Sequence, residues 1–454
     1  MTEPIIAVVG SGPAGMRAAE VLVRAGVRPI LFDEAEQPGG QIYRQPPEGA
    51  ARRARQIYGF ETRKAQAIHG VLREMGNNVD YRPGTLVWNV LQDRLDLLGP
   101  RGYGAQQFDG LILATGAMER ILPFPGWTLP GVFTLGGAQI ALKSQGVSIG
   151  RRIAFVGGGP LLPLVAHQYA KAGAEVAAVL DVTSFSAKIT HLPGLLAQPA
   201  TLAKGLWYAA SNRARNFAGG FSVRAIRAVG RAQVEALVYE DKSARRHRIA
   251  CDAIGASFGL RSETQLADLA GCRFVFDPLE RQWLPERTPE GRSSVPHVYL
   301  AGDGAGIGGA DVAELQGRRA ALSVLEDLGQ RTNTGEARRL GRRLMKQAHF
   351  RRALEHAYPF PQHLVDEIRD EEIVCRCEGI TAGTLREAAR QKEASELNRL
   401  KAFTRIGMGR CQGRVCGHAA AELLARARHA DIKSVGRLRG QPPVKPIPIL
   451  GVVP

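Results

Sequence analysis

The sequence predicts an α/β protein made of two similar units, the second inserted into the first, followed by a small helical module with four cysteines. The stretches 5–26 and 152–173 share one layout, a β-branched run, a glycine turn and an amphipathic helix. Apolar strands at 108–117 and 295–306 flank the second stretch, and cysteines cluster after residue 370. At roughly 150 residues per domain, the 454 residues leave room for about three units.

The composition excludes several classes of protein. With 44% hydrophobic and 23% charged residues, the chain is neither disordered nor collagen-like. No apolar run is long enough to predict a transmembrane helix, so we expect no integral membrane segment. The N-terminus lacks a basic segment followed by an apolar core, which predicts a cytoplasmic location.

The net charge of +17 raises the question of a nucleic-acid partner. Such binding favours cations concentrated in a patch with aromatic residues among them. Here arginine is spread along the chain and aromatic residues make up only 6%. We therefore expect no nucleic acid, and a basic surface that contacts an acidic partner or aids solubility.

The first glycine turn has the pattern of a dinucleotide site. Gly10 permits the tight turn, Gly12 lets the backbone approach a pyrophosphate, and Gly15 lets the helix pack close to the strand. Pro13 and Ala14 open the helix, whose N-terminus attracts phosphate groups.

The second strand of this unit supports the same interpretation. It ends at Asp33 and Glu34, where a carboxylate accepts hydrogen bonds from a ribose. A strand, a glycine turn, a helix and an acid in register favour a bound dinucleotide over a glycine turn without a ligand.

The second glycine turn is an altered copy of the first. Gly157, Gly159 and Pro160 repeat the pattern, but Leu162 replaces the third glycine. We expect Leu162 to hold the helix away from the strand or to clash with a pyrophosphate. Asp181 lies one residue out of register and still within reach of a ribose. Three alternatives remain: a functional NAD site, a nucleotide with a structural role, and an empty relic.

The four late cysteines indicate a metal site. They form a C-x-C pair and a C-x4-C pair, at Cys375, Cys377, Cys411 and Cys416. Clustered cysteines in a cytosolic protein favour a metal over disulfides. A C-x-C pair is strained for structural zinc, whereas a 2Fe–2S cluster takes two thiolates per iron with variable spacing. A 2Fe–2S cluster is favoured, and zinc or unliganded cysteines remain as alternatives.

Charge and glycine content near these cysteines support the cluster. Arg376, Arg410 and Arg414 offset the negative charge of a cluster held by four thiolates. The surrounding glycines let backbone N–H groups approach sulfur, at Gly379, Gly407, Gly409, Gly413 and Gly417.

Disulfide-reductase chemistry is excluded by the absence of a C-x-x-C pair. Cys251 and Cys272 lie far apart in sequence, and we expect both to be buried as small apolar residues. His167 is expected to be a packing residue.

These patterns divide the chain into five parts. We predict a first dinucleotide-binding domain at 1–120 and 291–330, an inserted nucleotide-binding-like domain at 121–290, a linker at 331–370, the cysteine module at 371–430, and an extended Pro-rich tail at 431–454.

The first unit resembles flavoproteins with two dinucleotide-binding domains. The segments PGGQIYR, LILATGA and VYLAGDGAG match the turn along the ribityl chain, the ATG element and the GD element of that family, in the family's order. The resemblance implies that the bound dinucleotide is FAD. It also implies six further FAD-binding residues: Gly40, Gln41, Thr115, Gly116, Gly302 and Asp303.

The cysteine module, VCRCEGIT with GMGRCQGRVCG, resembles the bacterioferritin-associated-ferredoxin-like domain. Nearly the full chain resembles the alpha (A-type) subunits of heteromeric FAD-dependent amino-acid and opine dehydrogenases, which include opine oxidases, hydroxyproline dehydrogenases and hydrogen cyanide synthase. The resemblance implies that substrate is oxidised on a separate FAD-containing beta subunit, while this chain transfers the electrons. A small ferredoxin-like subunit is compatible with the same layout.

Several points stay open at the level of sequence. NAD or ATP at the second turn and FMN at a subunit interface remain alternatives beyond FAD and the cluster. The runner-up function is a self-contained NAD(P)H-dependent reductase that passes electrons from FAD to the iron–sulfur centre. No acid–base pair beside a substrate pocket is recognisable, so catalytic residues and substrate are not assigned.

Overall fold

The computed structural model describes residues 3–47, 49, 54–391 and 393–449, and within them lie two parallel five-stranded sheets. In spatial order, the first sheet consists of Val298–Leu300, Gly110–Leu113, Ile6–Val9, Ile30–Phe32 and Asp80–Arg82. Its first two strands pair although the whole second sheet lies between them in sequence. The chain therefore leaves the first unit, builds the second and returns, as the predicted fold class requires.

The central strands of the first sheet are apolar and buried, so both faces of this sheet have to be covered. Helices cover one of the two faces. The helices of this unit are Pro13–Arg24, Ala54–Tyr58, Thr62–Met75 and Ala310–Asp327. The first and last of these helices cross at Gly317, where a Cβ would lie 1.9 Å from the Ala14 carbonyl oxygen. A three-stranded antiparallel sheet of Leu86–Leu91, Arg94–Gly99 and Gly102–Gln107 completes the unit.

The second sheet repeats the parallel arrangement. In spatial order its strands are Ala218–Phe221, Glu175–Asp181, Arg152–Gly157, Ala253–Ser257 and Val132–Thr134. Its antiparallel extension consists of Arg224–Val229, Ala236–Glu240 and Arg246–Ala250. The helices of this unit are Leu135–Lys143, Leu161–Lys171, Phe185–Thr190, Leu192–Leu195 and Pro199–Ala214.

Two short strands connect the units. Ala117–Glu119 leads into the second unit, Leu260–Ser262 leads out of it, and the two pair antiparallel. The return segment then forms helix Gln265–Leu269 and a hairpin of Phe274–Asp277 and Gln282–Pro285. The two passages between the units therefore run side by side.

Segment 331–370 was predicted as a charged helical linker, and most of it is helix. The helices Thr334–Ala357 and Gln362–Asp366 account for it. Phe350 and Ala357 are buried in a small cluster with Leu195 of the second unit. The segment is therefore packed along the second unit.

The C-terminal module is a small helical unit. It contains the strand pair Ile373–Cys375 and Ile380–Thr381, and the helices Ala382–Gln391, Leu397–Thr404 and Gly417–Ala427. Its buried residues share one apolar cluster with the second unit.

The tail beyond residue 430 returns to the first unit. It forms neither helix nor strand through residue 449, and residues 450–454 of the predicted tail lie outside the described residues. The Val444 N–H donates to the Trp88 carbonyl at 3.1 Å, and Lys445 pairs with Glu34. No helix of the described ranges combines the length and apolar character needed to cross a membrane.

Candidate functional site

The first glycine turn is packed so tightly that a side chain at two of its glycines would force the backbone to shift. Gly10 has φ +104°, and a Cβ there would lie 2.4 Å from the Ala114 carbonyl oxygen. A Cβ at Gly15 would lie 1.8 Å from the Gly10 oxygen, which keeps the helix against the strand end. Gly12 is different, because a Cβ there meets only the Gly40 Cα, at 3.7 Å.

The helix that follows the turn has a free N-terminus. Gly12 caps helix Pro13–Arg24 without a side-chain hydrogen bond. The first N–H groups of a helix, including that of Ala14, have no acceptor inside the helix. They are therefore available to an anionic group above the turn.

The loop with Gly40 and Gln41 lies over the same turn. The Gly39 N–H donates to the Ser11 carbonyl at 2.9 Å. Gly40 has φ +60°, and a Cβ there would lie 2.8 Å from the Gly12 Cα. Gln41 is exposed, whereas Tyr43 is fully buried.

The acids after the second strand bind the protein itself. Asp33 accepts hydrogen bonds from the Ser11 N–H at 2.5 Å, the Ser11 hydroxyl at 2.7 Å and the Ala35 N–H at 2.7 Å. Glu34 pairs with Lys445 of the tail. Asp33 thus holds the glycine turn in place, a role that the sequence pattern did not indicate.

The ATG and GD elements lie at the same edge of the sheet. The Thr115 hydroxyl donates to the Glu263 carbonyl at 2.6 Å, and Gly116 has φ +74°. Gly302 has φ +72°, and a Cβ there would lie 2.9 Å from the Ala14 Cβ.

Asp303 orders the start of the last helix of this unit. Its Oδ1 accepts from the N–H groups of Gly308 and Gly309 at 2.8 and 2.9 Å. The glycine turn, the 39–43 loop, and the ATG and GD elements thus converge at the carboxyl ends of the strands. In open α/β sheets this edge forms the ligand crevice.

The second glycine turn keeps the backbone shape of the first. Gly157 has φ +146°, with the Ser257 carbonyl oxygen 1.8 Å from where a Cβ would lie, and Gly159 has φ +104° in open space. Pro160 precedes the helix. Leu162 is 1% exposed in an apolar cluster. Its side chain points into the core, so the expected clash with a pyrophosphate is not seen.

The acid of the second turn is engaged within the chain. Asp181 is buried and accepts from the Thr183 N–H at 2.8 Å and its hydroxyl at 2.6 Å. Its other oxygen pairs with Lys188, whose ammonium lies over the rings of Phe221 and Tyr358 at 4.4 and 4.9 Å.

Nearby polar and thiol groups of this unit have structural partners. His167 is buried, with Nδ1 3.1 Å from the Ser211 hydroxyl. Cys251 and Cys272 are buried free thiols in two separate apolar clusters.

The structure brings the four late cysteines together. Cys375 and Cys416 are each 1% exposed, Cys411 is partly buried and Cys377 is exposed. The Cys416 thiol is hydrogen-bonded to the sulfurs of both Cys375 and Cys411, and Cys377 is hydrogen-bonded to Cys411.

Hydrogen bonds to sulfur favour thiolates in this group. The bond from Cys416 and backbone N–H groups that include Gly407 lower the pKa of Cys375 to about 6. The bond from Cys416 and the N–H groups of Val415 and Gly413 lower the pKa of Cys411 to about 5. As the donor in both bonds, Cys416 has a raised pKa.

The four grouped sulfurs are the number of ligands that a 2Fe–2S cluster requires. Within the described ranges, no three His, Cys, Asp or Glu side chains are placed to hold one metal ion. A 2Fe–2S cluster needs only two thiolates at each iron. Gly409 lets the two cysteine loops pack closely, because a Cβ there would lie 2.3 Å from the Cys377 Cβ.

The cysteine module docks on the return segment of the first unit. Arg414 Nε donates to Glu263 Oε2 at 2.7 Å, and Gln265 Nε2 donates to the Gln412 carbonyl at 2.7 Å. Arg437 forms a bidentate pair with Asp268, at 2.6 Å for each bond. Glu263 was not among the predicted site residues, because no sequence pattern links it to a cysteine loop about 150 residues later.

The pocket beside Cys416 is strongly positive. The side chain of His418 is buried, and burial together with Arg120, Arg261 and Arg281 lowers its pKa well below the usual range. Arg281 forms a bidentate pair with Glu422 at 2.9 Å for each bond.

Comparison with known proteins agrees with this geometry. Residues 4–317 match the pyridine nucleotide-disulphide oxidoreductase family, and residues 373–426 match the BFD-like 2Fe-2S binding domain. The first family implies FAD and the second implies a 2Fe–2S cluster.

The relatives that span nearly the whole chain include subunits of two kinds of enzyme. The A-type subunit of opine oxidase from Agrobacterium tumefaciens strain Ach5 is 36% identical, over 97% of this chain and 89% of that protein. The HcnB subunit of hydrogen cyanide synthase from Pseudomonas aeruginosa strain PAO1 is 34% identical, over 97% of this chain and 96% of that protein. Both are named as subunits, which implies other subunits.

Among solved structures, L-proline dehydrogenase from P. horikoshii has the same fold, with a TM-score of 0.74 at 18% identity, covering 100% of this chain and 80% of that chain. HcnB and the A-type opine oxidase subunits are similar to this chain over nearly its full length. The chain therefore belongs to the pyridine nucleotide-disulphide oxidoreductase family, as an FAD-dependent oxidoreductase with a C-terminal BFD-like 2Fe–2S domain.

Proposed function

We propose that this chain is the flavin and iron–sulfur electron-transfer subunit of a heteromeric dehydrogenase. The enzyme oxidises a secondary amine or amino acid, such as an opine or hydroxyproline, on a companion subunit with its own FAD. Bound FAD accepts electrons in pairs and the cluster passes them on singly. The names of the two full-length relatives support this assignment.

The main structural support for the proposal is a contact that links the flavin elements to the cysteine loop. Thr115 of the ATG element donates to the Glu263 carbonyl at 2.6 Å, and the Glu263 carboxylate binds Arg414 at 2.7 Å. Arg414 lies between Cys411 and Cys416. One residue therefore touches both sites, which supports short-range electron transfer between them.

The residues of the first turn would hold the FAD as follows. The free N–H groups at the start of helix Pro13–Arg24 would bind the pyrophosphate, over the surface that Gly12 leaves open. Asp33 holds the turn through Ser11. Asp303 fixes the loop that leads into the next helix, and this loop would lie near the ribityl chain.

The four cysteines would hold the cluster, two at each iron. Replacement of any one by serine should remove most of the iron and acid-labile sulfide and leave FAD bound. About two iron and two sulfide are expected for each wild-type chain. One zinc per chain without sulfide would contradict the cluster assignment, and loss of FAD together with the cluster would contradict separate sites.

The main alternative is a self-contained NAD(P)H-dependent reductase. The ion pair of Asp181 with Lys188 counts against it, because the ammonium competes with ribose hydroxyls for the carboxylate, whereas Asp33 accepts only N–H and hydroxyl hydrogen bonds among the described residues. We also propose that neither NAD nor ATP is required at the second turn. An FMN held at a subunit interface would need the companion chain.

Anaerobic mixing of the purified chain with NADH and with NADPH separates the two functions. The electron-transfer proposal predicts that the flavin absorbance stays unchanged over many minutes with either nucleotide. Rapid bleaching would establish the reductase. Dithionite provides the control, because it should bleach the flavin in both cases.

A further inference from the structure

Two arginines that precede the cysteine module by more than 100 residues place buried positive charge beside it. Arg120 is 6% exposed and Arg261 is partly buried, and the Nε atom of each is buried without a hydrogen-bond partner among the described residues. Within the same ranges, neither forms a direct ion pair, and carboxylates act on them only from a longer distance: Glu355, Glu280 and Glu422 on Arg120, and Glu263 on Arg261. Burying a guanidinium without a direct anionic partner costs folding free energy, so an anion near these two charges would stabilise the fold.

Arg120 shares a cavity with the cysteines, and its guanidinium lies 5.2 Å from the centre of the Phe360 ring. It lines a cavity of about 180 Å³ whose wall includes all four sulfur-bearing residues, Cys375, Cys377, Cys411 and Cys416. Its Nη2 donates to the Glu280 carbonyl at 2.5 Å, which orients the group without neutralising it. The remainder of the wall is largely apolar, with Phe124, Trp127 and Phe258.

Arg261 lines a separate cavity of about 90 Å³ beside the cysteine loop. Gly413 and Gly417 of the cysteine loop line this cavity with it. The Arg261 Nη1 lies 3.9 Å from the place of a Cβ at Gly417, the residue after Cys416.

The other arginines near the cysteines are neutralised or exposed. Arg281 is paired with Glu422, and Arg414 with Glu263. Arg410 is exposed to water, which screens its charge. Among the described residues, Arg120 and Arg261 are thus distinguished by burial and by the lack of a direct ion pair with a carboxylate.

We infer that Arg120 and Arg261 are the counter-charges of the iron–sulfur cluster and raise its reduction potential. This inference rests on the proposed cluster at the four cysteines. A 2Fe–2S cluster with four thiolates is negative in both oxidation states and more negative when reduced. Buried positive charge therefore stabilises the reduced state more than the oxidised state, because charge and solvent exposure set such potentials. The two residues act on the cluster and are not ligands.

The test is a redox titration of the cluster, followed by its electron paramagnetic resonance signal, in the full purified chain. Arg120→Gln and Arg261→Gln should each lower the midpoint potential, and the double variant should lower it further. Arg120→Lys and Arg261→Lys keep the charge and should restore most of the wild-type value. Arg410→Gln, next to Cys411 but exposed, is the matched control and should change the potential least.

Each result decides the inference. If a Gln variant loses iron and sulfide while the matching Lys variant keeps them, the need for charge is supported. Loss of the cluster in both variants would show a role of shape and overturn the inference. Unchanged potentials in both Gln variants, or a larger shift in Arg410→Gln, would also overturn it. Iron and sulfide content of the wild-type chain tests the cluster itself, so the two failures are distinguishable.

Discussion

At the scale of single residues, the glycines of the first turn divide into those that fit the fold and one that faces a ligand. A Cβ at Gly15 would lie 1.8 Å from a backbone oxygen, so Gly15 serves packing. A Cβ at Gly12 would meet only the Gly40 Cα at 3.7 Å, which is ordinary contact. The proposed pyrophosphate would occupy the open space at Gly12.

The variants Gly12→Val and Gly15→Val should therefore behave differently. Gly12→Val is expected to keep its melting temperature in the flavin-free state but to purify without FAD. Gly15→Val is expected to lose about 1–3 kcal/mol of unfolding free energy or more, because the backbone must shift. Thermal unfolding and FAD content measure the two effects. A Gly12→Val chain that binds FAD normally would show that the pyrophosphate lies elsewhere.

Glu280 gives a second residue-scale prediction. Burial, only partly offset by Arg351, raises the pKa of this carboxyl to about 7. An acid with a raised folded-state pKa binds protons more tightly in the folded state, so its contribution to stability is lost as the pH rises from about 4.5 to about 7. The slope approaches about 1.4 kcal/mol per pH unit at most. Denaturant unfolding should show a flatter profile over this range in Glu280→Gln than in the wild type.

At the scale of elements, the docking of the cysteine module depends on a few polar contacts between distant segments. The Arg414–Glu263 pair is the most informative, because the Glu263 backbone also binds Thr115 of the flavin site. Its side chains are only 14% and 15% exposed, so the pair is poorly screened by water.

A double-mutant cycle with Glu263→Gln and Arg414→Gln should give a coupling energy of about 1–3 kcal/mol, in the range of hydrogen bonds to charged groups. Chemical denaturation of the four chains measures it. The surface pair Arg405–Glu378, with Arg405 65% exposed, is the control and should give about 0–1 kcal/mol. Equal values for the two pairs would mean that the contact does not hold the module in place.

At the scale of the whole molecule, local patterns predicted the architecture and tertiary contacts determined the details of the sites. The strand–turn–helix repeats, the late strand at 298–300 and the cysteine set follow from local sequence, and the fold confirms the predicted class. The proposed role of Arg120 and the role of Asp33 could not be predicted from the residues around them in sequence. Each depends on a partner that folding brings from elsewhere in the chain. The choice between the two expectations for Leu162 could not be made locally either, because the direction of its side chain depends on packing.

We propose that this chain carries electrons and that a companion chain oxidises the substrate. A dye-linked assay with opines, hydroxyproline and other secondary amines tests this division of roles. It compares two samples: the isolated chain loaded with FAD and cluster, and the chain co-expressed with its companion. The account predicts no turnover by the isolated chain and activity in the complex, with cluster-free Cys→Ser variants slowing electron exit more than substrate binding. Turnover by the isolated chain near the roughly 10 per second typical of enzymes would contradict it and identify a complete oxidase.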